Sequence, residues 1–321
     1  MANNKLKRSW YAHAALVAAA LALPWVFRSE YAQHLMIMTG LGVILAASNR
    51  LIIVSGAWFM GMAAFYAIGA YGVVMLRVYV GLSYWISFPL VGLAAAGVAL
   101  ALGYGTARVK GIPFCLITVA FVEVVRLSIV KNPFLGHTAL KCAPPEAILG
   151  IDFSSKIHYY YLIFLVVFLT LSVLGLIDRS PVGAALKTIA QNEELAESVG
   201  INTVRYRVVT MAACCFFGGL AGAVLAPYVA VTGPTSFTLN TSVIILFYIV
   251  VGGLGSLWGP VAGAVFLNLL PEILPSQAYV QNILYAAIVL ASLFFLPDGL
   301  ISLPLRLRTL FTHGDGRGGH A

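Results

Sequence analysis

The sequence predicts an all-α integral membrane protein, a polytopic bundle of roughly eight to ten transmembrane helices with one cytoplasmic helical insertion. Three observations carry that reading. Of 321 residues, 61% are hydrophobic and only 9% charged, where a soluble globular domain carries about a quarter charged. Mean hydropathy is +0.95. The apolar residues fall into stretches of about 20, the length a helix needs to cross a hydrocarbon core of about 30 Å. So few charges cannot cover a water-soluble domain of this size, which excludes an ordinary cytosolic enzyme, a disordered chain and a nucleic-acid binder. The net charge of +8 has a different source: the basic residues sit in short stretches between apolar runs, as in cytoplasmic loops of membrane proteins.

The first apolar run, 10–27, follows Lys5, Lys7 and Arg8 as a signal peptide would. It ends in Pro24, Trp25 and Phe27 with no small-residue cleavage site, and so reads as an uncleaved first helix. The later spans are expected near 34–54, 57–77, 84–106, 112–130, 157–177, 207–228, 240–253, 259–274 and 279–296. The second and third spans nearly touch, and 240–253 and 259–274 are short. One member of each pair could therefore be broken or re-entrant. With the N-terminus inside, Arg50, Arg108, Lys110, Arg179, Lys187, Arg205, Arg207, Arg306 and Arg308 all fall on the cytoplasmic side, as the positive-inside bias requires. The outer loop 131–156 then sets Lys131, Lys141 and Lys156 against Glu146 and Asp152. Arg28 and Arg77 stand at outer helix ends, where arginine reaches the headgroups. Residues 1–312 form one transmembrane domain with a cytoplasmic loop at 178–205, followed by a polar tail at 313–321. Cys115, Cys142, Cys214 and Cys215 show no metal-ligand or disulfide spacing; the adjacent Cys214 and Cys215 read as small packing residues.

The loop 178–205 is the one long polar cytoplasmic insertion. Ser180 before Pro181 is a helix-start signature, because the hydroxyl caps free N–H groups and proline at the first helical position forfeits no hydrogen bond. Ala184, Ala185, Leu186, Ile189 and Ala190 then supply an apolar face. Gly200 and Asn202 are expected to end the second half, where a left-handed residue is usual. Such a helical pair suits docking into a partner's groove, or equally lying solvated at the membrane surface.

Glu194-Leu195-Ala196-x-x-x-Gly200 resembles the Glu-Ala-Ala-x-x-x-Gly loop of ATP-binding cassette importer permeases. SPVGAALKTIAQNEELAESVGIN is similar to that segment in the branched-chain amino acid permease family, LivM type. GAWFMGMAAFYAIGAY, VKGIPFCLITVAFVEVVRL, VVGGLGSLWGPVAGAVFLNLLPE and FLPDGL resemble further motifs of that family in order, so the resemblance covers most of the chain. It implies that the loop docks on a nucleotide-binding subunit, through Ser180, Pro181, Gly183, Leu186, Lys187, Glu193, Glu194, Ala196 and Gly200. Gly56, Phe59, Met62, Phe65, Tyr71, Thr118, Glu123, Gly252, Gly253, Gly255 and Trp258 are the candidate pathway residues. Phe59 stands where the family usually has serine and Met62 where it usually has histidine. LGHTALKCAPP also lacks the family's usual Gly-Gly-Ser/Thr-Asp/Asn-Gly pattern. These departures remove hydrogen-bonding groups and leave two readings open: a more apolar or aromatic acid as substrate, or a pore that never binds its substrate tightly.

Paired glycine-interrupted segments such as 56–72 and 252–263 can mark broken helices at a transport site, or close packing by small residues. Glu123 and Arg126 lie inside a span at i, i+3 spacing and can pair on one face, either structurally or along a pathway. Glu272 beside Pro271 belongs at an outer interface. The histidines form no metal motif, and no G-x-x-x-x-G-K-[ST] occurs. No cofactor is expected on this chain, ATP and Mg being left to partners. The resemblance implies a second homologous permease, two cytoplasmic ATPases, an outside substrate-binding protein and an inner-membrane location. Transport of a small amino acid or related carboxylate is expected, with a urea or amide permease and an ion-coupled secondary transporter as alternatives. A carrier of the last kind would need several intramembrane acids, and only Glu123 sits near mid-span.

Overall fold

The structure, a computed structural model, describes residues 21, 24–25, 29–107, 109, 111–132, 140–147, 153, 155–273, 278–295 and 299–302. Several sequence-based expectations fall outside them: most of the 10–27 helix, Lys5, Lys7, Arg8, Arg28, Arg108, Lys110, Asp152, Arg306, Arg308, the tail 313–321 and parts of LGHTALKCAPP and FLPDGL.

The described chain is helical almost throughout. Its long elements are α1 (Glu30–Val54), α2 (Met62–Val78), α3 (Tyr84–Thr106), α4 (Ile112–Lys131) and α5 (Lys156–Arg179). The short α6 (Pro181–Gln191) and α7 (Glu193–Ser198) follow, then α8 (Thr203–Val229), α9 (Leu239–Gly252), α10 (Trp258–Ile273) and α11 (Ala278–Phe295). Among the described residues, six segments are long and apolar enough to cross a membrane: α1, α3, α4, α5, α8 and Pro234–Gly252, which contains α9. Shorter apolar helices at Met62–Val78 and Ile283–Ser292, together with α10, fill in the bundle. Nine of the expected spans thus appear as helices, with ends within a few residues of the hydropathy boundaries.

α1 and α8 form the buried centre. Every residue from Leu41 to Ile53 is buried, as is most of α8. Both are apolar all round, which is how a helix enclosed by other helices must read. α3, α4 and α5 bury far less. The neighbours α9 and α10 touch backbone to backbone: a Cβ at Gly252 would collide with the carbonyl oxygen of Gly259, and one at Gly263 with that of Tyr248. These glycines permit close helix packing, as Gly69 and Gly222 do where α2 crosses α8.

Ion pairs and a ladder sort the loops onto two ends of the bundle. At one end Lys156 pairs with Glu30 at 2.8 Å, Arg77 with Glu146 at 3.6 Å, and Tyr31 hydrogen-bonds Glu272. Strand β1 (Leu140–Lys141) pairs antiparallel with β2 (Val231–Thr232) there. At the other end lie Arg50, Asp178, Lys187, Glu193 and Arg207. α1, α3, α4, α5 and α8 are each long enough to run from one end to the other.

The insertion is indeed two helices in a row, with two corrections. Asn202 does not end α7: its side chain accepts from the Arg205 N–H at 3.0 Å and caps α8. Ala184 and Ala190 are exposed, and the buried face of α6 is Gly183, Ala185, Leu186 and Ile189.

Candidate functional site

The α6–α7 insertion sits on the bundle by its apolar face, and polar side chains fasten it. Ser180 Oγ accepts from the Val182 N–H at 3.2 Å and donates to the Ile177 carbonyl at 2.7 Å, with Pro181 at the first helical position. Gly183 lies directly over the carbonyls of Ile177 and Asp178, where any Cβ would collide. The α5–α6 corner can therefore fold this tightly only with glycine. Lys187 reaches back to Asp178 at 2.9 Å, and Asp178 pairs on its other oxygen with Arg50 at 3.3 Å. Arg50 is wholly buried, 0% exposed, and its Nε donates to the Leu254 carbonyl at 2.9 Å. A chain of charges thus joins α6, α5, α1 and the α9–α10 connection.

α7 is fastened separately. Asn192 accepts from the Leu195 N–H at 3.0 Å and caps it. Glu193 pairs with Arg207 of α8 at 2.9 Å, and Arg207 also donates to the Ser55 carbonyl at 3.4 Å. Ala196 is buried, and Thr203 donates to Glu197 at 2.8 Å. Gly200 closes the helix with φ of 87°, a left-handed geometry that glycine adopts without strain. The outward surface carries Glu194, Leu195 and Val199, the last two 59% and 68% exposed. At i, i+4 spacing these two apolar side chains share a face beyond the bundle.

The candidate pathway residues separate into groups. Gly56, with φ of 82°, turns the chain against the backbone of Ala190 in α6. It lines a cavity of about 270 Å³ with Phe114, Ile189, Glu193 and Arg207, and so belongs to the seat of the insertion. Phe59, Met62, Phe65 and Thr118 come together around the start of α2, all 1% exposed or less. Rings of Phe59, Phe65, Phe114 and Phe121 lie against one another, with centroids 5.6 to 6.4 Å apart. The backbone leading into α2 and its first turn are satisfied by side chains: Thr118 Oγ1 accepts from the Met60 N–H before the helix and Ser242 Oγ from the Ala63 N–H within its first turn, each at 3.2 Å. That is the requirement for irregular backbone at membrane depth.

Gly252, Gly253 and Gly255 occupy the α9–α10 turn beside Arg50, and Gly255 is exposed. Trp258 borders an apolar groove of about 840 Å³ between α1, α5 and α10. Tyr71 stands nearer the far end, its hydroxyl donating to the Thr232 carbonyl at 3.3 Å and its ring against Phe237. Glu123 lies on the open side of α4, and among the described residues it pairs along its own helix with Arg126 at 2.8 Å. No cluster of metal-ligating side chains occurs among the described residues.

Sequence reasoning missed Arg50, Asp178, Asn192, Leu195, Arg207 and Ser242 as parts of these arrangements. Arg50 carried a usable signal: it precedes Leu51, Ile52, Ile53 and Val54, and a cation followed by another apolar turn is more deeply placed than a loop cation. Ser242 and Asn192 carried none that separates them from other polar residues.

Residues 31–296 match the family described as "Branched-chain amino acid transport system / permease component". Among curated proteins, the high-affinity branched-chain amino acid transport system permease protein LivM of Salmonella typhimurium is 26% identical over 315 residues, covering 90% of this chain and 74% of the relative. The LivM protein of Escherichia coli K12 matches to the same extent. No solved structure gives a significant match. These relatives are permeases of transport systems rather than enzymes. With most of its length matched and its apolar helices arranged as a membrane bundle, the chain belongs to the family of branched-chain amino acid transport permeases.

Proposed function

We propose that the chain is the permease subunit of a bacterial ATP-binding cassette importer that moves a small amino acid, of branched-chain type, or a related carboxylate across the inner membrane. The observation that carries this reading is the insertion itself. Its inner face is fastened to α5 and α8, and through Asp178 to α1, while its outer face holds Leu195 and Val199 exposed beside Glu194. An apolar pair projecting beyond the bundle, on a rigid mount, suits insertion into a partner's groove. The proposed partners are two cytoplasmic ATPases, a second homologous permease and an outside binding protein, with ATP and Mg held by the ATPases and no cofactor on this chain. The insertion lies in the cytoplasm, and so do both termini.

In the proposed cycle, closure of the ATPases moves α6–α7, and the route Lys187–Asp178–Arg50–Leu254 carries that movement to the α9–α10 turn. ATP shifts the equilibrium only by binding one arrangement better than the other. Ser180, Pro181, Gly183 and Leu186 hold α6 in place, Glu193 and Ala196 hold α7, and Gly200 ends it. The aromatic cluster of Phe59, Phe65, Phe114 and Phe121 favours, as a second substrate reading, an amino acid with an aromatic side chain.

The test is affinity purification of the tagged chain from its native membrane in mild detergent. A P-loop ATPase should co-purify and be lost from Leu195→Asp/Val199→Asp, while the variant still inserts in the membrane. Recovery of the chain alone, with uptake abolished by an ionophore and indifferent to ATP depletion, would establish an ion-coupled carrier instead.

A further inference from the structure

The Glu123–Arg126 pair stands apart from the other ion pairs of the bundle. Arg50–Asp178, Asp178–Lys187, Arg207–Glu193, Arg77–Glu146 and Lys156–Glu30 each tie two segments together. Glu123 and Arg126 lie one turn apart on α4 and fasten nothing. An i, i+3 pair on one helix contributes only about 0.2–0.5 kcal/mol. Charged side chains near the middle of a membrane helix cost several kcal/mol where they meet lipid. Stability therefore does not account for the pair.

Position and exposure narrow what does. α4 has 20 residues, and both charges lie past its midpoint, between Val122 and Leu127. The face toward α2 carries Phe114, Thr118 and Val122, all buried. Glu123 projects from the side opposite that seam and Arg126, four residues beyond Val122, from its edge; they stay 40% (Glu123) and 29% (Arg126) exposed. Arg126 uses Nε on Glu123 Oε2. Its two terminal nitrogens and Glu123 Oε1 have no partner among the described residues. The terminal nitrogens form the fork that matches a carboxylate in two parallel hydrogen bonds. The free carboxylate oxygen beside it accepts from an ammonium.

We propose that this side of α4 borders the translocation pathway, and that Arg126 and Glu123 hold the carboxylate and ammonium ends of an amino acid zwitterion. The proposal rests on the amino-acid permease reading and deepens it by giving the substrate's charged end a place. The one helix turn between the two residues sets both complementary charges within reach of a single α-carbon. Phe121 packs against Phe65 with ring centroids 5.6 Å apart, on the side of α4 opposite Glu123, so the aromatic cluster anchors the helix rather than lining the charged pair.

The test uses the complete complex, purified with its partners and reconstituted in ATP-loaded proteoliposomes, with radiolabelled leucine as probe. Three variants are compared with the unaltered complex: Glu123→Gln, Arg126→Gln and the exchange Glu123→Arg/Arg126→Glu. The exchange keeps an ion pair on the same turn, so a structural pair would survive it. Each variant should assemble and melt as the unaltered complex does, while leucine uptake falls about tenfold or more, the loss expected for a charge-assisted hydrogen bond. Uptake by the exchanged pair within about twofold of the unaltered complex overturns the site. Loss of assembly in the glutamine variants that the exchange repairs also overturns it, in favour of a structural pair. Absence of leucine uptake by the unaltered complex overturns the amino-acid reading itself, and the site with it.

Discussion

Arg50 is the residue on which most connections converge: a cation with no solvent exposure, one carboxylate partner and one carbonyl partner. Asp178→Asn leaves that cation buried without its counter-charge, and a loss of about 3–5 kcal/mol follows for a broken buried pair. Thermal unfolding in detergent should show it as a lower midpoint. Combining Arg50→Met with Asp178→Asn should cost less than the sum of the two single changes, by about 1–3 kcal/mol for residues in direct contact. Additive losses would show that the pair is not coupled. Cys142 gives a second test at this scale, outside the membrane spans. Burial pushes its thiol up, and the Arg77 guanidinium, 3.8 Å from Sγ, only partly opposes this. The thiolate is the reactive form, so maleimide labelling of Cys142 in the folded protein should be slow near neutral pH. It should rise with pH along a curve displaced upward from that of a free peptide thiol. Coincidence of the two curves would contradict the burial.

At the scale of elements, the insertion depends on how closely α6 lies over the end of α5. Gly183→Ala places a methyl group against two carbonyls, and overpacking of this kind costs about 1–3 kcal/mol. The expected result is faster tryptic cleavage after Lys187, with membrane insertion unchanged; unaltered cleavage would count against the tight corner. The helical spans were legible in the sequence because a hydrocarbon core imposes one length and one composition on each, and 84–106 was read to the residue. The start of α6 was equally legible, since Ser180-Pro181 combines two local signals. The direction of its apolar face was not. Periodicity shows that Leu186 and Ile189 share a side, but their cover comes from helices distant in sequence. The same limit hid the partnership of Asp178 with Arg50, 128 residues away, and the β1–β2 ladder, which rests on two residues per strand.

For the whole molecule, the two sets of ion pairs divide the loops cleanly, so sidedness can be tested with two substitutions. In a cysteine-free background, Lys156→Cys should react with an impermeant maleimide in intact cells. Ser198→Cys should react only after the membranes are inverted. The reverse pattern would turn the protein over and remove the insertion from reach of ATP. The site was less legible at this scale than the fold. The resemblance grouped Gly56, Phe59, Gly253 and Trp258 as one pathway, whereas the structure sets Gly56 under α6, Phe59 in the aromatic cluster and Gly253 beside Arg50. A motif reports that residues occur together in sequence, while only packing decides which of them meet.

α8 begins directly after the insertion and ends directly before the strand that pairs with the outer loop. Its 27 residues make a rod about 40 Å long at 1.5 Å per residue, sheathed by other helices for most of that length. Its internal proline, Pro227, lies in the last turn, so a displacement at the inner tip is carried along nearly the whole rod before it meets a natural bend. If the proposed partners dock at its two ends, their binding is linked with equal strength in both directions, as thermodynamic reciprocity demands. Under the proposed function, a binding protein on the outer loop should then tighten or loosen the ATPases' nucleotide affinity by the same factor with which nucleotide changes its own docking.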